Sequence, residues 1–359
     1  MMFPGRLYRR VYSDDNLTEA WHKVKSNSVA PGVDGVTIPQ FQRYLFSNLK
    51  VLQRDLQKRR YRPQPVKRTY ISKPDGSRRP LGVLTVRDRI VQRAVLNVIE
   101  PLFEADFEET SCAFRPGRSV EMALEQVVRL ADQGYQWAVD LDIKSFFESI
   151  NLKKLYSFIA EKVKDRELRR IIRSWLEVET ASVGRDGLLR REKPRGLLQG
   201  GIISPLFANI YLDRFDKMAH KRGLKLVRYA DDILILCRSE RQARRNLKIA
   251  HKLLTKLDLE LNPRKTQILH VEKGLRFLGE TLLLKREANR ERLVRIADSA
   301  SQIQRPQRID IDAAIDGEGE DEPVESISIP IMLDETEGER RKDGHPLHHQ
   351  AGRYPGEDR

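Results

Sequence analysis

Cysteine is scarce. Cys112 and Cys237 are the only two among 359 residues. Two isolated thiols make neither a disulfide framework nor a zinc site, so both read as small buried residues in a reducing interior. No apolar run in the sequence approaches the roughly 18 residues of a membrane span. The opening residues, MMFPGRLYRR, lack the apolar stretch of a secretion signal. The expectation is a cytoplasmic protein with no membrane partner. Histidine is sparse as well: three of the seven, His345, His348 and His349, fall in a polar C-terminal stretch where solvation explains them better than metal binding. No internal repeat is visible.

What is abundant is positive charge. Lys and Arg number 66 against 52 Asp and Glu, for a formal net charge of +14. Residues 1–308 carry 61 of the basic groups against 37 acidic ones, whereas residues 309–359 carry 5 against 15. A basic body with an acidic tail suggests a polyanionic partner, most often nucleic acid; the alternative is a merely basic soluble protein. The hydrophobic content of 40% supports a sizeable core. At about 150 residues each, two or three domains fit the length.

Helical spacing of Leu17, Ala20, Trp21 and Val24 predicts an amphipathic helix over 14–26. The turn cluster APGVDGV (30–36) follows, then a helix over 39–60 ending in the basic run QKRRYRPQPVKR (57–68). TYISKPDGSRRPLGV (69–83) reads as a hairpin turning at PDG. Thr85 and Asp88 fit a capping box opening a helix over 85–103, with Val91, Val95, Val98 and Leu102 on one face. A loop leads into a helix by residue 130. Residues 135–150 begin as a strand, 151–178 are helical, and LLQGGIISPLFANIYLDRFDKMAH (197–220) is a glycine turn followed by a helix. In that helix Ser204 suits the N-cap and Pro205 the first turn. A hairpin over 226–237, a helix over 239–259 and strands over 261–270 and 275–284 complete the reading. Residues 307–359, dominated by acidic groups, read as a disordered tail or linker.

The hairpin VRYADDILIL (227–236) sets two adjacent aspartates inside an apolar strand pair. They repel each other and lose hydration, at a cost of several kcal/mol per ion before compensation. A divalent cation removes both penalties, and Mg²⁺ prefers a few carboxylates with waters and substrate phosphates; a solvated Asp–Asp turn is the alternative. VDLDIKSFF (139–147) adds Asp140 and Asp142, which alternate with apolar residues and so share one strand face. Carboxylates from one strand end and one hairpin can hold two Mg²⁺ ions about 3.5–4 Å apart, an arrangement suited to nucleotidyl transfer.

Those segments carry a resemblance. YADD (229–232) resembles the Tyr-X-Asp-Asp box of reverse transcriptases, and DIKSFFESI (142–150) is similar to the first palm motif of the group II intron type. APGVDGV (30–36), SKPDGSRRPLGVLTVRDRIVQ (72–92), FRPGRS (114–119), LLQGGIISPLFANIYLD (197–213), LNPRKTQ (261–267) and FLGE (277–280) match other blocks of that family in the same order, over about residues 10–285. The resemblance implies an RNA-directed DNA polymerase that extends a DNA or RNA primer on an RNA template with dNTPs. It implies two Mg²⁺ ions, with Mn²⁺ a substitute, on Asp142, Asp231 and Asp232; Asp140 is not a ligand position in the family. Phe147 falls where these enzymes place an aromatic gate against the 2′-OH, with core packing as the alternative. Gln199 would contact the incoming nucleotide or template base. Lys73, Arg78 and Arg79 would close over the triphosphate, unless the hairpin is simply solvated. Lys265 either approaches the active site or is a surface lysine. Arg115 and Arg118 hold template phosphate or fix their loop by a salt bridge. Tyr229 and Ala230 would lie under the primer terminus. The 57–68 run and the 239–265 segment would make sequence-independent phosphate contacts.

The fold expected is α+β: right-hand polymerase fingers and palm with an antiparallel palm sheet and a thumb reduced or absent. An N-terminal extension and fingers span 1–135. The palm spans 136–285 with a fingers return near 160–200, a short helix or thumb remnant 286–306, and the acidic tail 307–359. Group II intron proteins usually continue into a thumb or maturation domain. Its shortfall here raises a second reading, an RNA-binding splicing cofactor or a subunit of a CRISPR adaptation or antiphage complex, with CRISPR adaptation proteins as partners.

Overall fold

Four short helices open the chain: α1 (Arg6–Val11), α2 (Asp14–Lys25), α3 (Ile38–Arg43) and α4 (Leu45–Gln57). The computed structural model describes residues 6–26, 30–72, 76, 78–183, 189–287 and 290–296. The acidic tail 307–359 and Lys73 lie outside the described residues. Helix α2 buries Leu17, Ala20, Trp21 and Val24, the face its spacing predicts, and Ser13 caps it by accepting from the Asn16 N–H. The helix expected over 39–60 is divided at Tyr44, where φ is −121° and the ring is exposed.

Strands β1 (Val66–Ser72) and β2 (Arg78–Val83) form the anticipated hairpin, pairing Ile71 with Arg79. Helix α5 (Val86–Glu104) starts at the Thr85–Asp88 cap: the Asp88 N–H donates to Thr85 Oγ1 at 3.1 Å. Asp88 also accepts from the Tyr61 hydroxyl (2.7 Å) and the Gln64 N–H (3.1 Å). The cap therefore fastens the basic 57–68 run to α5. Helix α6 (Val120–Asp132) precedes strand β3 (Trp137–Leu141), the single turn α7 (Phe146–Ser149), α8 (Leu152–Lys162) and α9 (Arg166–Leu176). The last two replace the one helix expected over 151–178. Asp165 breaks it by capping α9 through the N–H groups of Glu167 and Leu168. Strands β4 (Thr180–Val183) and β5 (Leu189–Glu192) then return to the first hairpin. β4 runs parallel beside β1, giving a sheet ordered β2-β1-β4-β5.

Helix α10 (Ser204–Lys221) starts at Ser204 itself, and no side chain caps it; Ser204 is buried in the first turn instead of standing before it. Strands β6 (Lys225–Tyr229) and β7 (Asp232–Cys237), helix α11 (Glu240–Thr255) and strand β8 (Gln267–His270) follow. Together with β3 the strands form an antiparallel sheet ordered β6-β7-β3-β8. Strand alternation divides its faces. Ala138, Leu234, Leu236 and Leu269 pack with Ala123, Leu124, Val127 and Ala131 of α6. On the opposite side of the strands Val139, Leu141, Ile233, Ile235 and Ile268 are likewise buried. A third sheet, ordered β11-β10-β9, is built from β9 (Leu275–Phe277), β10 (Glu280–Glu287) and β11 (Arg290–Ile296). The segment expected to hold a short helix within 286–306 is thus a strand where it is described. Antiparallel pairing with β10 from Thr281↔Ile296 to Glu287↔Arg290 satisfies its backbone.

Candidate active site

Register places the acidic groups. Tyr229 pairs with Asp232 across a two-residue turn, Ala230–Asp231. Ala230 takes φ +57°, a left-handed value that glycine normally fills at such a place. On the neighbouring strand Leu141 pairs with Ile233 and Asp140 with Leu234. Residues opposite one another share a face, so Asp140, Asp142 and Asp232 emerge together at the end of the sheet, beside Asp231 in the turn.

LNPRKTQ holds the end of β3. Asn262 N–H donates to the Asp142 carbonyl at 2.7 Å, and the Asp142 N–H donates to Thr266 Oγ1 at 3.3 Å. Asn262 Oδ1 in turn accepts the Arg264 N–H, closing a tight turn. Lys265 is carried to the site, its Nζ 3.5 Å from Asp142 Oδ1 with both side chains partly solvated. Lys265 meets both descriptions, a largely exposed side chain whose end lies beside Asp142.

Asp232 is exposed at the strand's end, yet partial desolvation, with Asp231, Asp140 and Asp142 acting beside it, raises its pKa to about 6. Burial raises Asp140 to about 6 also, with Asp142 adding to the rise and a 3.0 Å hydrogen bond from Gln267 Nε2 opposing it. Asp231 is raised chiefly by burial, while the nearby Arg79 charge lowers it. Asp140, Asp231 and Asp232 are thus all raised, and only Lys265 and Arg79 offer them and Asp142 positive charge. All their donors are hard oxygens, which suits Mg²⁺. Among the described residues, no three His, Cys, Asp or Glu groups form a ready-made metal cluster.

The remaining sequence-predicted residues divide. Arg79 reaches the aspartates electrostatically; Arg78, its neighbour along β2, is exposed and on the other strand face. Phe147 is partly buried beside buried Phe146, the rings 5.4 Å apart. Gln199 lies where its carbonyl accepts the Gly82 N–H at 2.7 Å. A Cβ at Gly200, which has φ +99°, would run into the Gly82 carbonyl, so the glycine pair lets the hairpin sheet touch this loop. Tyr229 packs part-buried against the α6 core. Arg118 is half buried next to Cys112.

Arg115 is a correction. Its guanidinium is buried, pairs with Glu104 at 2.8 Å, and donates to the Glu108 and Ser111 carbonyls at 2.7 Å each. With its donors committed inward, it fixes its loop and cannot hold template phosphate.

One group went unnoticed in the sequence. Arg228 is fully buried with Asp216, donating from Nε at 2.9 Å and from Nη2 at 2.5 Å. Its Nη1 donates to Asn209 Oδ1 and to the Ala230 carbonyl, both at 3.0 Å. The buried fork therefore holds the left-handed residue of the aspartate turn. A strand arginine flanked by buried valine was the available signal, since an unpaired charge there would be costly.

A carboxylate group at the end of an antiparallel sheet, reached by Arg79 from a separate hairpin sheet, is an arrangement suited to nucleotidyl transfer. Residues 71–282 match the family described as reverse transcriptase (RNA-dependent DNA polymerase), and the chain belongs to it. It is similar to protein YkfC of Escherichia coli strain K12, 33% identical over 322 residues, covering 78% of this chain and 84% of that one. It is also similar to the group II intron-encoded protein LtrA of Lactococcus lactis, 28% identical, covering 80% of this chain but 58% of LtrA. Among solved structures, a partial Cas6-RT-Cas1–Cas2 complex aligns with a TM-score of 0.43 at 23% identity, over 71% of this chain and 45% of that one. The mixed helices and antiparallel sheets are those of reverse-transcriptase fingers and palm. Among the described residues no helix is long and apolar enough to cross a membrane.

Proposed function

We propose that this chain extends a primer on an RNA template by nucleotidyl transfer, with Asp142, Asp231 and Asp232 as the ligands of two divalent ions. The observation that carries the reading is the convergence of Asp142, at the end of β3, with Asp231 and Asp232 at the β6–β7 turn, where burial first and neighbouring carboxylates second raise Asp231 and Asp232. Like charges held together in this way favour a cation between them. Bound Mg²⁺ would lower the pKa of the primer hydroxyl and offset charge on the departing pyrophosphate. The chain's own residues supply the rest. Arg79 offers a guanidinium to the triphosphate, bidentately where geometry allows. Lys265 balances Asp142. Phe147 presents a ring against a 2′-OH, and Gln199, on a loop that glycines let approach the fingers, contacts the nascent pair. Tyr229 and Ala230 support the primer end, and Arg118 lies toward the template.

Extension of oligo(dT) on poly(rA) with Mg²⁺ tests this. The unaltered protein should incorporate dTTP. The variant carrying Asp231→Ala and Asp232→Ala should lose about 10³-fold or more, as several kcal/mol of transition-state stabilisation disappears. Equal activity in both, or none in either while the duplex still binds, overturns the assignment.

A further inference from the structure

We infer that Phe114 is a stacking platform for a base or sugar of the template–primer beside the aspartate turn, an inference that rests on the polymerase reading above. Phe114 is 56% exposed, between Ala113 and Arg115, which are both buried. Its φ is +56°. For a bulky residue that value is an outlier, and neither turn glycine nor an asparagine occupies the place.

The backbone on either side is pinned from within. Asn209 Nδ2 donates to the Ala113 carbonyl at 2.8 Å, and Arg115 Nη1 to the Ser111 carbonyl at 2.7 Å. The loop cannot relax the strain by turning the ring inward without breaking those bonds. Strain kept by surrounding structure, with the strained residue presenting an apolar ring to water, points to a ligand.

The course of the loop says which ligand. The Arg228 N–H donates to the Thr110 carbonyl at 2.8 Å, and the Cys112 N–H to the Arg228 carbonyl at 2.9 Å. Residues 110–112 therefore extend the free edge of the palm sheet, parallel to β6. They run toward the same end as the Ala230–Asp231 turn, and Phe114 follows just beyond. Asn209 links the two places directly, bonding both Ala113 and Arg228, which in turn bonds Ala230. A nucleic acid whose 3′ end lies at the aspartates passes this ring. Every base offers a π face to an aromatic side chain, so such a contact is tolerant of sequence.

Phe114→Asn separates this role from a structural one, because Asn tolerates the left-handed region. Melting temperature and affinity for a labelled RNA–DNA primer duplex, by fluorescence anisotropy at fixed salt, are the two readouts. Expected are a melting temperature raised by roughly 2 °C and affinity weakened about tenfold, with affinity kept by Phe114→Trp. Unchanged affinity of Phe114→Asn overturns the inference, as does a fall in melting temperature, which would make the ring a support of the fold. Failure of the unaltered protein to bind the duplex would instead sink the polymerase reading itself.

Discussion

Replacing Arg228 by Met should separate two duties of one side chain. Arg228 and Asp216 are both wholly buried, so the single substitution leaves a carboxylate in the core without its partner. Breaking such a pair costs about 3–5 kcal/mol, a large part of the roughly 5–15 kcal/mol that holds a domain together. Removing both charges, with Arg228→Met and Asp216→Leu, should restore most of that loss, since apolar replacement of a buried pair is often neutral. The double variant still lacks the 3.0 Å donor to the Ala230 carbonyl. Ala230 at φ +57° carries about 1–2 kcal/mol of left-handed cost that this bond helps to offset. The turn should then drift, and misplacement by about 1 Å can lower a rate about 100-fold. Urea midpoints and single-turnover primer extension on the three proteins read both effects. The expected pattern is an unstable single variant and a stable but slow double variant. A double variant that is stable and fully active would refute the idea that the fork positions the turn, and a fully stable Arg228→Met would refute the buried pair.

Asp140→Asn should stabilise the metal-free protein at high pH. Burial raises the carboxyl from 3.8 to about 6, so the native state binds its proton more tightly than the unfolded chain. That contribution is fully present below about pH 4 and lost as pH rises through about 6. The gain from Asn should therefore approach an upper bound of about 3 kcal/mol at pH 8 and vanish near pH 4; denaturant titrations giving the same difference at both pH values would contradict it. Phe147→Val should reduce the preference for dNTP over rNTP about 100-fold in kcat/KM, and an unaltered preference would return Phe147 to simple packing.

Much of this layout is legible from residue order. Adjacent aspartates interrupting an apolar run mark the place of the β6–β7 turn, because Ile233 to Leu236 are all buried and only the end of the strand can hold charge. The spacing of Leu17, Ala20, Trp21 and Val24 gives α2 its buried face for the same reason. Competition between alternatives is less legible. An arginine in FRPGRS suits a phosphate as well as a carboxylate, and only the position of Glu104, on the preceding helix, decides for Arg115. The segment RERLVRI has no strong period, and pairing with β10 makes it a strand.

Left-handed residues are least legible of all, and they gather at the motifs. Sequence cues for positive φ are Gly, Asn and Asp. Here Phe114, Ser145, Ala230 and Leu278 take φ values of +56°, +46°, +57° and +53°. The first three lie in segments that bear on the site, the sheet-edge loop, the turn after Asp142 and the aspartate hairpin, and Leu278 sits in the β9–β10 turn against the α6 core. Nothing local makes these conformations cheap. Two are held by bonds from elsewhere in the chain, the Asn209 amide to the Ala113 carbonyl across 96 positions and the Arg228 guanidinium to the Ala230 carbonyl. Asn209 and Asp216 in turn lie one above the other, seven residues apart on α10, so one helix face anchors both strained loops. Reading such a site forward from sequence would require recognising α10 as the support first. Its buried Asn and Asp are the polar residues that a core helix keeps only when something across from them needs a partner.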